Sequence, residues 1–280
     1  MKFMKLKITI LSIICVAIMF SCKKVDLTDG VNTSNPTNSY VAILNKVLVD
    51  NQSAYEYAYN DSNLVTQEKG KFNYIAYHYN SKGQLTTSDF YGNDDILSTD
   101  LVVFQTALNS ATLLNATSGK KGGTITYEYN ASGLMIKSTY TRPSVTNTEY
   151  SEFTYNSNNK INKQTMFWDN VATGYVDYTY DAKGNLVTEA LYNLPASGVA
   201  ELSTTTQYAY DSSPNPYKAT TKLMIPGINT NINNIIKETN TIHIPATQGT
   251  DKVQVTENTY QYNGMGYPIS KNDNILFVYK

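Results

Sequence analysis

One short phrase recurs along this chain and constrains its fold more than any other feature: Tyr-x-Tyr, then Asn or Asp, a polar turn, and an aliphatic residue. It runs as Tyr57-Ala-Tyr59-Asn60, Tyr77-His-Tyr79-Asn80, Tyr127-Glu-Tyr129-Asn130 and Phe153-Thr-Tyr155-Asn156, then as Tyr178-Thr-Tyr180-Asp181, Tyr208-Ala-Tyr210-Asp211 and Tyr260-Gln-Tyr262-Asn263. Tyr at i and i+2 projects to one face of a strand. Asn or Asp then opens a turn through its side chain, and Gly three residues on, as at Gly83, Gly133, Gly184 and Gly266, supplies positive φ. The phrase reads as a β-hairpin, with Leu85, Leu134, Ile161 and Leu186 starting return strands.

Successive copies lie about 25 residues apart or roughly twice that, the length of two strands of about ten residues and their turns. The expectation is an all-β antiparallel meander of repeated hairpins with about 12 to 16 strands, curled or partly closed into a barrel-like sheet. Faces alternate: Ile125, Tyr127 and Tyr129 oppose Thr124, Thr126 and Glu128, while Leu186, Thr188, Ala190 and Tyr192 oppose Val187, Glu189 and Leu191. That pattern predicts one buried and one solvated face. The identity of residues 94–117 is open, and Asp100–Thr117 is read as strand-loop-strand.

The amino terminus carries a different signal. Lys2, Lys5 and Lys7 precede the apolar run Ile8–Phe20, which is too short to span a bilayer and has the form of a secretion signal. Met19-Phe20-Ser21-Cys22 resembles a bacterial lipobox, which implies cleavage after residue 21 and lipidation of Cys22. The expected organisation is a signal peptide over 1–21, a polar tether over 22–39 and one all-β domain over 40–280. Several acyl chains on Cys22 would hold the chain firmly to a membrane. Export to the cell envelope, on the outer membrane, follows as the expected location. Cys15 leaves with the signal, so a disulfide framework, a Cys-ligated zinc site and a catalytic Cys are excluded. The 22 Lys+Arg against 23 Asp+Glu give no basic surface for a nucleic acid.

With these residues in view, the phrase is similar to the Tyr-Asp repeat of bacterial RHS-type surface proteins. The whole chain resembles an uncharacterised family of Bacteroidetes lipoproteins with a porin-like fold, most closely in Asp211-Ser-Ser-Pro214-Asn215-Pro216-Tyr217 and in the closing Tyr260-x-Tyr262-Asn263-x-x-Gly266-Tyr267-Pro268. The resemblance covers roughly residues 50–280 and implies no activity. The copy at 153–161 departs from the pattern by lacking its turn Gly.

Few residues suggest chemistry. His78 and His243 lack metal-binding companions and a Gly-x-Ser-x-Gly elbow, and read as solvent-facing strand residues. No cofactor is expected. Asp94, Asp95, Glu149, Glu152, Asp169, Asp177 and Glu189 could supply the carboxylate pair of a glycan-cleaving hydrolase, the alternative reading. Most of the 24 Tyr fall in the phrase and read as core. The aromatics outside it, Trp168, Tyr91, Tyr192 and Tyr217, are the candidates for stacking on a ligand. The expected role is therefore non-catalytic: an envelope binding or structural module whose partner is a glycan or an envelope protein.

Overall fold

The computed structural model describes residues 42–92, 113–219, 225–245 and 247–280. Cys22, the tether and the Asp94-Asp95 pair lie outside the described residues. Seventeen strands form one antiparallel sheet. Its first nine are β1 (Leu44–Val49), β2 (Gln52–Tyr59), β3 (Val65–Gly70), β4 (Asn73–Tyr79), β5 (Leu85–Gly92), β6 (Lys120–Tyr129), β7 (Met135–Thr141), β8 (Glu149–Tyr155) and β9 (Ile161–Trp168). The rest are β10 (Val171–Tyr180), β11 (Leu186–Asn193), β12 (Glu201–Pro214), β13 (Asn233–Ile242), β14 (Lys252–Glu257), β15 (Tyr260–Tyr262), β16 (Pro268–Lys271) and β17 (Ile275–Tyr279). The count exceeds the sequence expectation because the last copy packs three strands shorter than ten residues after Asn258.

Each strand pairs with its sequence neighbours except at the β14–β15 step, and β1 also pairs with β17, Leu44 lying opposite Tyr279. The sheet therefore curls until its ends meet. No backbone ladder joins β14 to β15. Side chains span that seam: Asn258 Nδ2 and the Tyr260 hydroxyl both donate to Ile235 O, at 3.0 and 3.1 Å, and the Tyr262 hydroxyl donates to Asp211.

The repeat explains the interior. In each hairpin the ladder shifts by one residue just before the second Tyr, as between Thr179 and Tyr180, where Tyr180 faces Leu186 and Thr179 faces Thr188. The extra residue on the return strand is a bulge that reverses the alternation beyond it. Residues two after the turn Gly are sealed: Leu85, Met135 and Leu186 are at most 1% exposed, as are their equivalents Val65 and Ile161. Met135, rather than Leu134, thus opens the return strand. Where the turn Gly is missing, Asn63 and Asn159 take the positive φ, at 57° and 55°.

A second regularity involves the Tyr hydroxyls. Ladders between neighbouring hairpins stop short of the turns; that of β9 with β10 ends at Lys163 and Asp177. The carbonyl of Ile161 is left without a strand partner, and Tyr180 OH donates to it at 2.7 Å. The same clip joins Tyr59 to Leu44, Tyr79 to Val65, Tyr129 to Leu85, Tyr155 to Met135 and Tyr210 to Leu186, at 2.5–2.8 Å. An unmet buried carbonyl costs about 1–3 kcal/mol, so the second aromatic of the phrase is Tyr and never Phe. First-position aromatics point inward, and several meet a polar group: Tyr77 bonds Glu68 at 3.2 Å, Tyr127 bonds Ser88 at 3.1 Å and Tyr178 bonds Gln164 at 2.9 Å.

Described residues between β12 and β13 pack onto the turn end, where Asn231 Oδ1 accepts from Leu186 N at 2.9 Å. Asn215, Asn231, Asn233 and Asn234 are buried and bond to backbone, Asn185 Nδ2 donates to Asn233 Oδ1 and Asn234 Nδ2 to Asp211, each at 3.0 Å, and Asn185 accepts from Ile232 N and Asn233 N at 2.8 and 3.0 Å. Of Asp100–Thr117, only 113–117 are described. They form no strand, because Asn115 Oδ1 accepts from Thr117 N and Ser118 N at 2.9 and 3.0 Å and holds a turn.

Candidate functional site

Reversed alternation puts aromatic residues on the outer face of β8–β11. Glu189 and Leu191 turn inward, while Tyr192 turns outward opposite Tyr175; sequence alternation placed Tyr192 with Leu186 and Glu189 on the solvated face. Tyr175 and Tyr192 stack at 4.7 Å with 17° between ring planes, and Tyr150 and Phe167, paired across β8 and β9, stack at 4.6 Å with 9°. Lys137 Nζ lies 3.9 Å from the Tyr150 ring centre and Lys163 Nζ 3.7 Å from that of Tyr175. The result is two flat aromatic pairs edged with ammonium groups.

At the end of the sheet away from the Tyr-Asn turns, Trp168 closes β9 on the face opposite Phe167, the face of Met166 and Gln164, and is 39% exposed. The next two residues, Asp169 and Asn170, both have positive φ, a two-residue hairpin turn matched to strand twist. Asp169 accepts from Thr148 N at 2.9 Å and from the Asn147 side chain, and these bonds hold its carboxyl below the usual range. They tie the hairpin tip to the 142–148 loop. The chain's single Arg, Arg142, sits there, 5.7 Å from the Trp168 ring and 5.4 Å from that of Tyr140, and ion-pairs Glu149 at 2.6 Å. A cation held between two rings and a carboxylate is pre-positioned for a polar ligand lying on Trp168.

The stacking candidates therefore separate. Trp168 and Tyr192 both belong to β8–β11, Trp168 at the rim on the inner face and Tyr192 on the outer face. Tyr91 lies on β5 against Tyr74, centres 5.4 Å apart. Tyr217 points inward from the short 3-10 turn Pro216–Ala219 and meets Phe277 edge-on at 5.9 Å; burial pushes its hydroxyl pKa up. Its place is in the interior.

The carboxylates separate too. Glu149 pairs Arg142, Asp177 pairs Lys163 at 3.4 Å and Asp169 serves its turn. Glu152 lies across from Lys137 in the β7–β8 ladder. Glu189 is inside, with Tyr208 OH at 3.4 Å, and burial, then the nearby Glu238 charge, push its carboxyl upward. Burial also raises Glu68. Among the described residues no group of three potential ligands is placed to hold a metal.

His78 is exposed, 3.4 Å from Asp89. His243 is different: its Nδ1 lies 2.8 Å from Asp251 Oδ2 and its Nε2 2.9 Å from Thr205 Oγ1. Asp251 Oδ1 accepts Ile244 N at 3.0 Å, and this bond and that of His243 hold the carboxyl below its usual range. The sequence gives little sign of this relay, since its members come from β12, the residue after β13 and the residue before β14.

No protein-family model matches the chain, and no curated protein matches it significantly by sequence. Solved structures do resemble it. A porin-like protein from Bacteroides uniformis aligns over 85% of this chain and 96% of its own, with 14% identity and a TM-score of 0.39. TcdB2-TccC3 aligns over 80% of this chain and 10% of its own, with 14% identity and a TM-score of 0.31. A protein of unknown function from Bacteroides fragilis aligns over 65% and 91%, with 10% identity and a TM-score of 0.25.

Proposed function

We propose that this chain is an exported envelope lipoprotein, anchored through Cys22, that binds a glycan along the outer aromatic face of β8–β11 and at the Trp168 rim. The observation that carries the reading is the placement of the single Trp, exposed at a sheet end, against the single Arg, at the rim of strands whose outer face carries two stacked aromatic pairs. The C–H face of a sugar ring is weakly positive and complements the negative face of an aromatic ring. Arg142, Glu149 and Asn147 supply hydrogen bonds at the edge that would fix orientation. The role read at this surface is binding.

Equilibrium titration of the full mature chain against envelope polysaccharides, preceded by a glycan array, tests it. Trp168→Ala should weaken the best ligand at least about tenfold, the loss of one well-placed anchor. Binding unchanged by Trp168→Ala, or capture of an envelope protein with no glycan bound, removes the reading. Cys22→Ala should abolish fatty-acid labelling and release the protein from the membrane fraction. A hydrolase reading would rest on Glu189 with Glu238, the buried carboxylate and its charged neighbour. Cleavage of a bound glycan that Glu189→Gln stops would favour it.

A further inference from the structure

We propose that Thr205, His243 and Asp251 form an acyl-transfer centre on the outer face of the sheet, with an O-acylated sugar as the substrate class. An ionised carboxylate only accepts, so Asp251 fixes the proton of neutral His243 on Nδ1. Nε2 is then the acceptor, and the bond at 2.9 Å is donated by the Thr205 hydroxyl. Nucleophile, base and orienting carboxylate stand in the order and at the spacings that acyl transfer requires. The Ile244 amide fixes the other oxygen of Asp251, so the carboxylate is itself held.

The location supports the substrate class, and that part of the proposal rests on the glycan-binding reading. Thr205 lies directly across the ladder from Ala190, two residues from Tyr192 on the same face of β11, about 7 Å along the strand. An ester on a sugar stacked at Tyr192 and Tyr175 would reach the hydroxyl. Thr241, directly opposite Thr205 on β13, adds a second hydroxyl at the same level.

In the reaction, Thr205 Oγ1 attacks the ester carbonyl carbon while its proton passes to His243 Nε2, and the carbonyl π pair moves onto oxygen. Collapse of the tetrahedral alkoxide breaks the bond to the sugar oxygen, which leaves with the proton from Nε2. The acyl group is now esterified to Thr205. Water, deprotonated by the same nitrogen, attacks it, releasing the carboxylic acid and restoring Thr205. The net change is hydrolysis of one ester by one water, with no redox partner.

The test uses the full chain and p-nitrophenyl acetate, whose turnover is read without any glycan binding. The expected result is nitrophenolate release above buffer and one added acetyl group that peptide mass spectrometry places on Thr205. Thr205→Val, which keeps the shape and removes the hydroxyl, should reduce release to background, and Thr205→Ser should restore it. Asp251→Asn should lower the rate by at least about tenfold through loss of the fixed tautomer. Release unchanged in Thr205→Val, acetyl found only on other residues, or no release above buffer would each overturn the proposal.

Discussion

The two ends of the same hairpins obey different rules. At the turn end five of the seven copies repeat one arrangement: an Asn or Asp turn, a sealed apolar residue and a Tyr hydroxyl clipped to its neighbour's carbonyl. At the far end the connections vary, from two-residue turns at Asp50-Asn51, Asp169-Asn170 and Asn272-Asp273 to the longer segments 142–148 and 194–200. Arg142 and Trp168 meet only there. The turn end holds the sheet together, and the far end, with the outer face next to it, is free to carry a binding surface. Loops set on a rigid frame commonly divide the work in this way.

The largest effect expected from breaking this division is in the sealed ring. Leu186→Ala at the turn end should cost about 2–5 kcal/mol, seen as a lower denaturant midpoint, because the surrounding side chains cannot collapse onto the gap. Next comes the clip. Tyr180→Phe leaves the Ile161 carbonyl unmet and should cost about 1–3 kcal/mol. The same change at Tyr192, whose ring lies on the outer face with no clip, should cost less than about 0.5 kcal/mol.

A smaller effect concerns pH. Burial raises the Glu68 carboxyl in the folded protein. Between the ordinary glutamate value and that raised value the folded chain holds a proton that the unfolded chain has lost, so stability falls as pH rises through the window. Glu68→Gln should therefore gain stability over the parent at neutral pH and lose that gain in acid, as paired denaturation curves would show. Equal differences at both pH values would mean that Glu68 is not held in its proton-bearing form.

These contrasts also mark what the sequence could reveal. The hairpins were legible because Tyr-x-Tyr, the Asx turn and Gly act over a few neighbouring residues. The bulge was not legible: Leu186, Thr188, Ala190 and Tyr192 alternate as well as any strand, and only pairing with Tyr180 shows that Val187 is the extra residue. One unseen bulge moved Glu189 inside and Tyr192 outside. Trp168 stood out as the only residue of its type, but its partner Arg142 lies 26 positions earlier and meets it only through the β7–β9 ladders. The Thr205–His243–Asp251 relay depends on β12, β13 and β14 lying side by side, which no local pattern encodes.

Trp168→Ala and Tyr180→Phe, compared in one glycan titration alongside thermal melting, test the division between the two ends most directly. Tyr180→Phe should melt lower and bind like the parent, while Trp168→Ala should melt like the parent and lose binding. A Trp168→Ala protein that binds the glycan as the parent does, or a Tyr180→Phe protein that melts unchanged, would contradict it.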